Sequence, residues 1–139
     1  MPTIQTAASQ RRLPMMQGPQ LPPDGVIISV RHLPNPYGRL QEFKFTHNIP
    51  DADWPKRKRD QVKVFLRTLA PKKLDRVIQK GRNSIRLGKS IAVVCARGRG
   101  RSPAVAEMIG DGFHSSMITY EHRELQGAKA AGASGDDDC

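Results

Sequence analysis

One stretch of sequence decides the fold, namely Ile91-Ala92-Val93-Val94-Cys95-Ala96-Arg97-Gly98-Arg99-Gly100-Arg101-Ser102. Its first five residues are a continuous apolar run of strand length, which is typical of a strand buried on both faces of a sheet. Two glycines and three arginines follow, and Ser102 with Pro103 behind it predicts a helix whose N-cap is Ser102. A strand, a short loop and a helix in this order predict an α/β domain.

Shorter elements on both sides complete the predicted fold. Residues 26–30 and 117–120 are further runs of strand length, and residues 53–81 carry apolar side chains at helical spacing, interrupted at Pro71. The order strand, helices, strand, helix, strand favours parallel strands joined by right-handed crossovers. We therefore predict a small three-layer α/β domain with a mainly parallel sheet and a phosphate-binding loop between a strand and a helix N-terminus.

Both ends of the chain have compositions that do not support a core. Residues 1–24 contain five prolines among scattered polar residues, and residues 127–139 are rich in alanine and glycine and include three consecutive aspartates. Such segments bury too little apolar surface to order themselves. We predict a flexible arm over residues 1–24, one folded domain over residues 25–126 and a flexible tail over residues 127–139.

The charge of the chain favours polyanionic ligands. The formal net charge is +10, and residues 56–101 contain sixteen Lys or Arg against two acids. Cations in this excess bind RNA or other polyphosphates by neutralising phosphates and releasing counterions. The alternative is a solvated basic surface that serves solubility. The densest cluster is open to the same two interpretations, RNA contact or solvation, and consists of Lys56, Arg57, Lys58 and Arg59.

Cysteine content and hydropathy predict the compartment. The two cysteines, Cys95 and Cys139, cannot form a disulfide framework, and the sequence holds no secretion signal and no apolar run long enough for a membrane span. We expect a cytoplasmic protein with no membrane contact.

The loop after the buried strand is predicted to bind an anion. Ligands of parallel α/β sheets bind beyond the carboxyl ends of the strands, and glycines with a helix N-terminus turn backbone amides toward one point. Arginines add positive charge, although the same residues could form a basic turn without a ligand. The predicted anion ligands of the loop are Cys95, Arg97, Gly98, Arg99, Gly100, Arg101 and Ser102, and the arginines Arg97 and Arg99 are also predicted RNA contacts.

The spacing from Cys95 to Arg101 also resembles the phosphate loop of cysteine-dependent phosphatases, C-x5-R followed by Ser. In that alternative Cys95 is the nucleophile, Arg101 binds the phosphoryl group, and Asp51 or Asp53 donates the proton. A third interpretation of Cys95 is a buried strand-end residue that only packs.

No metal or cofactor is predicted. The histidines lack neighbours at metal-ligand spacing. Gly88-Lys89-Ser90 resembles the end of a nucleotide-binding P-loop. However, Asn83 occupies the position of the first glycine of that motif, and a strand rather than a helix follows, so no P-loop is predicted.

Three separated segments carry distinctive motifs: residues 30–37 with Leu-Pro-Asn-Pro-Tyr, the Cys95 to Ser102 loop, and His122-Arg123-Glu124-Leu125. Together they resemble a known family, the C-terminal domain of the RapZ RNase adapter proteins. The resemblance extends over about residues 26–126. It adds further ligand-binding residues to those of the loop, namely Arg31, Asn35, Tyr37, His122 and Arg123.

The resemblance implies a non-enzymatic regulator that binds RNA, a phosphorylated metabolite such as a sugar phosphate, or both. It also implies a protein partner such as a ribonuclease, and it leaves homo-oligomerisation and a purely adaptor role open. We expect a stand-alone domain without the family's N-terminal P-loop domain, so nucleotide binding is not implied. Arg97 and Arg99 add charge to the family's loop, and Gly100 replaces its histidine, which leaves the choice between metabolite and RNA backbone open.

Overall fold

Four parallel strands and four helices make up the described part of the chain. The computed structural model describes residues 1–8, 21–96 and 100–122. The sheet has the order β2-β3-β1-β4, and every pair of neighbouring strands is parallel. The strands are β1 (Thr3–Ala8), β2 (Val26–Ser29), β3 (Ile91–Cys95) and β4 (Thr119–His122). The helices are α1 (Tyr37–Thr46), α2 (Trp54–Leu69), α3 (Pro71–Arg86) and α4 (Arg101–Gly110), and a 3-10 turn spans Ser115–Met117.

These four helices share one face of the sheet because of the strand order. The crossover from β2 to β3 carries α1, α2 and α3, and the crossover from β3 to β4 carries α4. Both move across the sheet in the same direction, so the right-handed rule places their helices on the same side. Side chains from all four helices join Ile28, Ile91 and Val93 in one apolar core.

The predicted parallel α/β sheet is confirmed, and it is entirely parallel in the described residues. All five residues of β3 are buried, as the apolar run predicts. Ala92 and Val94, which alternate with the core residues of β3, pack with Ala7 and Leu21 on the other face. The described residues thus form two layers, a sheet and the helices on one face of it. The predicted third layer, on the opposite face, stays a prediction.

The predicted flexible arm is wrong where it includes β1. This strand lies between β3 and β4, and its Ile4, Gln5 and Thr6 are almost completely buried. The run from Thr3 to Ala8 lacks the strict alternation that signals a strand, and its pairing partners are more than eighty residues away in sequence. Residues 9–20 of the arm and the tail over residues 127–139 lie outside the described residues.

Two local predictions also need correction. The turn expected after β2 continues into α1, where Leu40 is completely buried. Helix α4 begins at Arg101 with Gly100 as its N-cap, so Ser102 is not the cap. The side chain of Ser102 is completely buried, and its Oγ accepts a hydrogen bond from the thiol of Cys95 instead of capping the helix.

We expect Ile4→Ala to lower the free energy of unfolding by about 2–5 kcal/mol, because a completely buried isoleucine would leave a cavity between sheet and helices. Ile27→Ala is the matched control. Ile27 is 50% exposed on the edge strand β2, so its loss should be below about 1 kcal/mol. Urea unfolding measures both, and equal losses would contradict the central position of β1.

Candidate anion site at the carboxyl edge of the sheet

The parallel sheet brings three predicted site segments to one edge. β2 leads into the turn at Arg31, β3 leads into the loop after Cys95, and β4 ends at His122. Since all strands are parallel, these ends share the carboxyl edge. β1 separates β3 from β4, and strands are about 4.8 Å apart, so the end of β4 lies about 10 Å across the sheet from the end of β3.

The two described ends of the loop are joined by a buried hydrogen bond. The Cys95 thiol donates to Ser102 Oγ at 3.3 Å, and neither residue has exposed surface. Gly100 is buried as well, directly before the first turn of α4. The predicted ligands Arg97, Gly98 and Arg99 lie outside the described residues. In the described part of the site, the Cys95 thiol therefore lies in the packed interior.

Arg101 connects the loop to the neighbouring turn. Its Nη1 donates hydrogen bonds to the carbonyl oxygens of Arg31 at 3.1 Å and Leu33 at 2.7 Å. The residue is only 6% exposed. A guanidinium suits this position because it carries several donors in one rigid plane. The described contacts give Arg101 a structural role, and its role as a direct phosphate ligand stays a prediction.

The turn after β2 is rigidly built. Val30 N–H donates to the carbonyl of Val94 at 2.8 Å, which extends the pairing with β3 beyond the strand. Asn35 Oδ1 accepts from the Tyr37 N–H at 3.1 Å at the start of α1. The side chains of Arg31 and Tyr37 are exposed. This turn thus presents two of the predicted ligand-binding side chains at the edge, while Asn35 shapes the turn.

For β4, the backbone places His122 at the same edge, paired in register with Thr6. Arg123, the next predicted ligand, lies outside the described residues.

The predicted RNA-contact run does not form one surface. Lys56 and Arg57 are exposed, and Arg57 lies over the ring of Phe43 at 5.8 Å. Lys58 is 7% exposed, and Arg59 pairs with a glutamate of α4. Consecutive residues point in different directions around a helix. Of the four, Lys56 and Arg57 are exposed, Arg59 is partly exposed and Lys58 is buried, and RNA contact by this run stays a prediction.

Connectivity also separates this run from the anion loop. The chain enters β3 directly after α3, so α3 ends at the amino edge of the sheet and begins toward the carboxyl edge. α2 joins α3 through Ala70 alone, and its sixteen residues extend about 24 Å. The N-terminal end of α2, with Lys56 and Arg57, therefore lies toward the amino edge.

Glu107 forms an ion cluster that joins α4 to α2. Its carboxylate accepts hydrogen bonds from Arg59 Nη1 at 2.5 Å and from Lys63 Nζ at 2.7 Å. Burial raises the pKa of Glu107, but the hydrogen bonds and charges of Lys63 and Arg59 outweigh it and hold the pKa below its ordinary value. This cluster was not predicted, because nothing in the sequence pairs these residues.

The proton donors of the phosphatase alternative lie in the turn between α1 and α2. Asp51 is exposed and pairs with Lys44 Nζ at 2.8 Å. The hydrogen bond and the charge of Lys44 lower the pKa of Asp51, which opposes a role as general acid. Asp53 is the N-cap residue of α2, at the end of that helix remote from the carboxyl edge.

Other features of the described residues lie apart from this edge. An open cleft of about 390 Å³ between α1 and α2 contains none of the predicted site residues and is lined by Arg39, Glu42, Phe43, Thr46, His47 and Phe65. Within the described ranges, no three His, Cys, Asp or Glu side chains are grouped as metal ligands would be. None of the helices there has the length and hydropathy to cross a membrane.

Fold and site together define an α/β domain whose carboxyl edge joins a strand-loop-helix segment to the turn of a neighbouring strand. Residues 16–126 match the family described as the RapZ C-terminal domain. Since the match covers most of the chain, the protein belongs to that family, as the three sequence segments predicted. No curated protein matches the chain. The match begins after β1, so a central strand of the sheet lies outside the matched residues.

We expect Arg101→Met to destabilise the fold by about 1–3 kcal/mol, because two carbonyl groups lose their donor at a buried position. The control is Arg31→Met, which removes an exposed guanidinium at the same edge and keeps the Arg31 carbonyl. Its effect should stay near 0.5 kcal/mol or below, an order-of-magnitude expectation for surface sites. Urea unfolding compares the two, and an Arg101→Met protein as stable as the control would refute the structural role.

We expect Glu107→Gln to cost about 1 kcal/mol at neutral pH, the order of magnitude for a partly exposed ion cluster. Because the pKa of Glu107 is lowered in the folded state, its contribution is present above the ordinary value of 4.5 and disappears as the pH falls through the folded-state pKa. The difference from the wild type should therefore shrink in acid. Urea unfolding at neutral and acidic pH tests this, with exposed Glu42→Gln as control; a constant difference would contradict it.

Proposed function

We propose that this RapZ C-terminal domain is a non-enzymatic regulator. It binds RNA, a phosphorylated metabolite of the sugar-phosphate class, or both, through the Cys95 to Ser102 loop. The observation that carries the proposal is the meeting of the turn after β2, this loop and the end of β4 at one carboxyl edge. Ligands of open parallel sheets bind at that edge.

The chemistry of the edge suits a phosphate. The first turn of α4 begins there, and the unpaired backbone amides of a helix start favour an anion. Arg31 is exposed beside it, and Arg97, Arg99 and Arg123 are the further cations proposed as ligands. Guanidinium groups give charge-assisted hydrogen bonds to phosphate oxygens. The proposed roles of Tyr37 and His122 are hydrogen bonds to sugar hydroxyls and to phosphate, respectively.

A non-catalytic role is supported by the positions of the groups that a phosphatase would use. Cys95 has no exposed surface, so its sulfur cannot reach a phosphoryl group without movement of the surrounding chain. The Arg101 guanidinium is engaged with two carbonyl oxygens of the neighbouring turn. Asp51, a candidate proton donor, is paired with Lys44.

The proposal also covers the location, the partner and the oligomeric state of the protein. It includes a cytoplasmic location, a protein partner such as a ribonuclease and homo-oligomerisation, since the family resemblance includes such partners and such assembly. Lys56 and Arg57 stay in the proposal as RNA contacts because they are exposed.

We expect Arg97→Gln/Arg99→Gln to weaken RNA binding and to flatten its dependence on salt. Two lost phosphate contacts should reduce the slope of log K against log salt concentration by about 1.5. A hexosamine phosphate should compete with RNA in the wild type and lose this ability in the variant. Fluorescence anisotropy with a labelled RNA hairpin measures both effects.

The control is Arg86→Gln/Lys89→Gln, which removes the same charge at the amino edge of the sheet. Equal effects of the two double variants would refute a phosphate site in the loop. A second readout is cleavage of an aryl phosphate: turnover that disappears in Cys95→Ser would replace the regulator with the phosphatase.

A further inference from the structure

Two groups of cations on α2 and α3 differ in the contacts that they make. Those of the first group serve the fold: Arg59 and Lys63 bind Glu107, and Arg82 donates to the carbonyl oxygens of Met108 and Ile109 at the end of α4. Those of the second group are exposed on α3, and within the described ranges their side chains make no hydrogen bond or ion pair. The second group consists of Lys72, Lys73, Arg76 and Lys80.

The fold fixes this second group as an outward row. Leu74, Val77 and Ile85 on the opposite side of α3 are buried in the core. Lys72, Arg76 and Lys80 follow one another at intervals of four residues, so they lie in line along the helix, about 6 Å apart and about 12 Å in total. Like charges at this spacing repel one another. A ligand with several negative charges would relieve that repulsion.

The row begins near the proposed anion site. The chain turns after Arg86 through Gly88, whose φ is +81°, and enters β3 three residues later. Helix α3 therefore runs from the carboxyl side of the sheet to the amino side. Lys72 and Arg76 lie toward the edge that carries the loop and the turn at Arg31, while Arg86 and Lys89 lie at the opposite end.

We propose that the row Lys72–Arg76–Lys80, together with Lys73, binds the sugar-phosphate backbone of an RNA held at the carboxyl edge. This inference rests on the proposed function and names the surface that extends it. A row of about 12 Å matches several successive phosphates of a strand rather than the single phosphate of a small metabolite. Gln79 is exposed beside the row and can donate to phosphate or accept from a ribose 2′-hydroxyl.

The charge of α3 favours RNA over an acidic protein as the occupant. The helix contains six Lys or Arg and one acid, Asp75, and its exposed large side chains are polar. Protein interfaces usually centre on apolar or aromatic anchors, and the outward face of α3 has none. A face with four exposed cations and one acid, Asp75, suits the repeated phosphates of a nucleic acid.

The test compares two double variants of the full chain that remove equal charge from opposite ends of this region. Lys72→Gln/Arg76→Gln changes the row, and Arg86→Gln/Lys89→Gln changes the amino-edge end. Binding of a labelled RNA hairpin is followed by anisotropy between about 50 and 200 mM salt. The row variant should lose about 1.5 of the salt slope and at least about tenfold in affinity near 100 mM, and the control should stay within about twofold of the wild type.

Thermal unfolding followed by circular dichroism checks that both variants stay folded. Glutamine preserves helix propensity, but in the control pair Lys89 is half-buried and Arg86 donates a hydrogen bond to Asn83 Oδ1 at 3.0 Å. Equal losses in the two variants, or no loss in the row variant while the wild type binds, overturn this inference and leave the proposed function intact. Absence of RNA binding by the wild type overturns both. Binding to anionic lipid vesicles is measured as well. If the row variant loses vesicle binding but keeps its RNA affinity, the row binds a lipid surface and the RNA assignment is overturned.

Discussion

The backbone pairing of β1 holds the described sheet together. β1 pairs with β3 on one side and with β4 on the other, and within the described ranges β4 has no other strand beside it. Without β1, the end of β4 would have no fixed position relative to the loop after β3. The carboxyl edge, where the proposed site lies, thus depends on hydrogen bonds made by six residues near the start of the chain.

At that edge a buried charge organises the backbone. The Arg101 guanidinium holds two carbonyl groups of the turn after β2, so the first turn of α4 and that turn cannot move independently. A buried charge is costly without partners, and both carbonyl oxygens lie within hydrogen-bond distance. In the phosphatase alternative the same arginine would hold the phosphoryl group.

The distribution of cations connects stability with function. Helices α2 and α3 are bonded to α4 through the side chains of Arg59, Lys63 and Arg82. Their partners are a carboxylate and the carbonyl groups at the end of α4, so part of the strong positive charge of the chain is used inside the fold. The cations exposed on α3 are among those that a polyanion can reach. RNA is the polyanion named in the proposed function.

The sequence by itself determined β2, β3, α2, α3 and most of α4, because apolar periodicity and the prolines at helix starts are local signals. It also determined the family and the strand-loop-helix at Cys95, whose motif is contiguous. Only the tertiary structure placed β1 in the sheet, since a short polar strand gains its stability from partners far away in the chain. Only the tertiary structure, likewise, turned Lys58 inward, gave Arg59 to Glu107 and engaged Arg101 with the turn at Arg31, because such contacts depend on packing that no local pattern encodes.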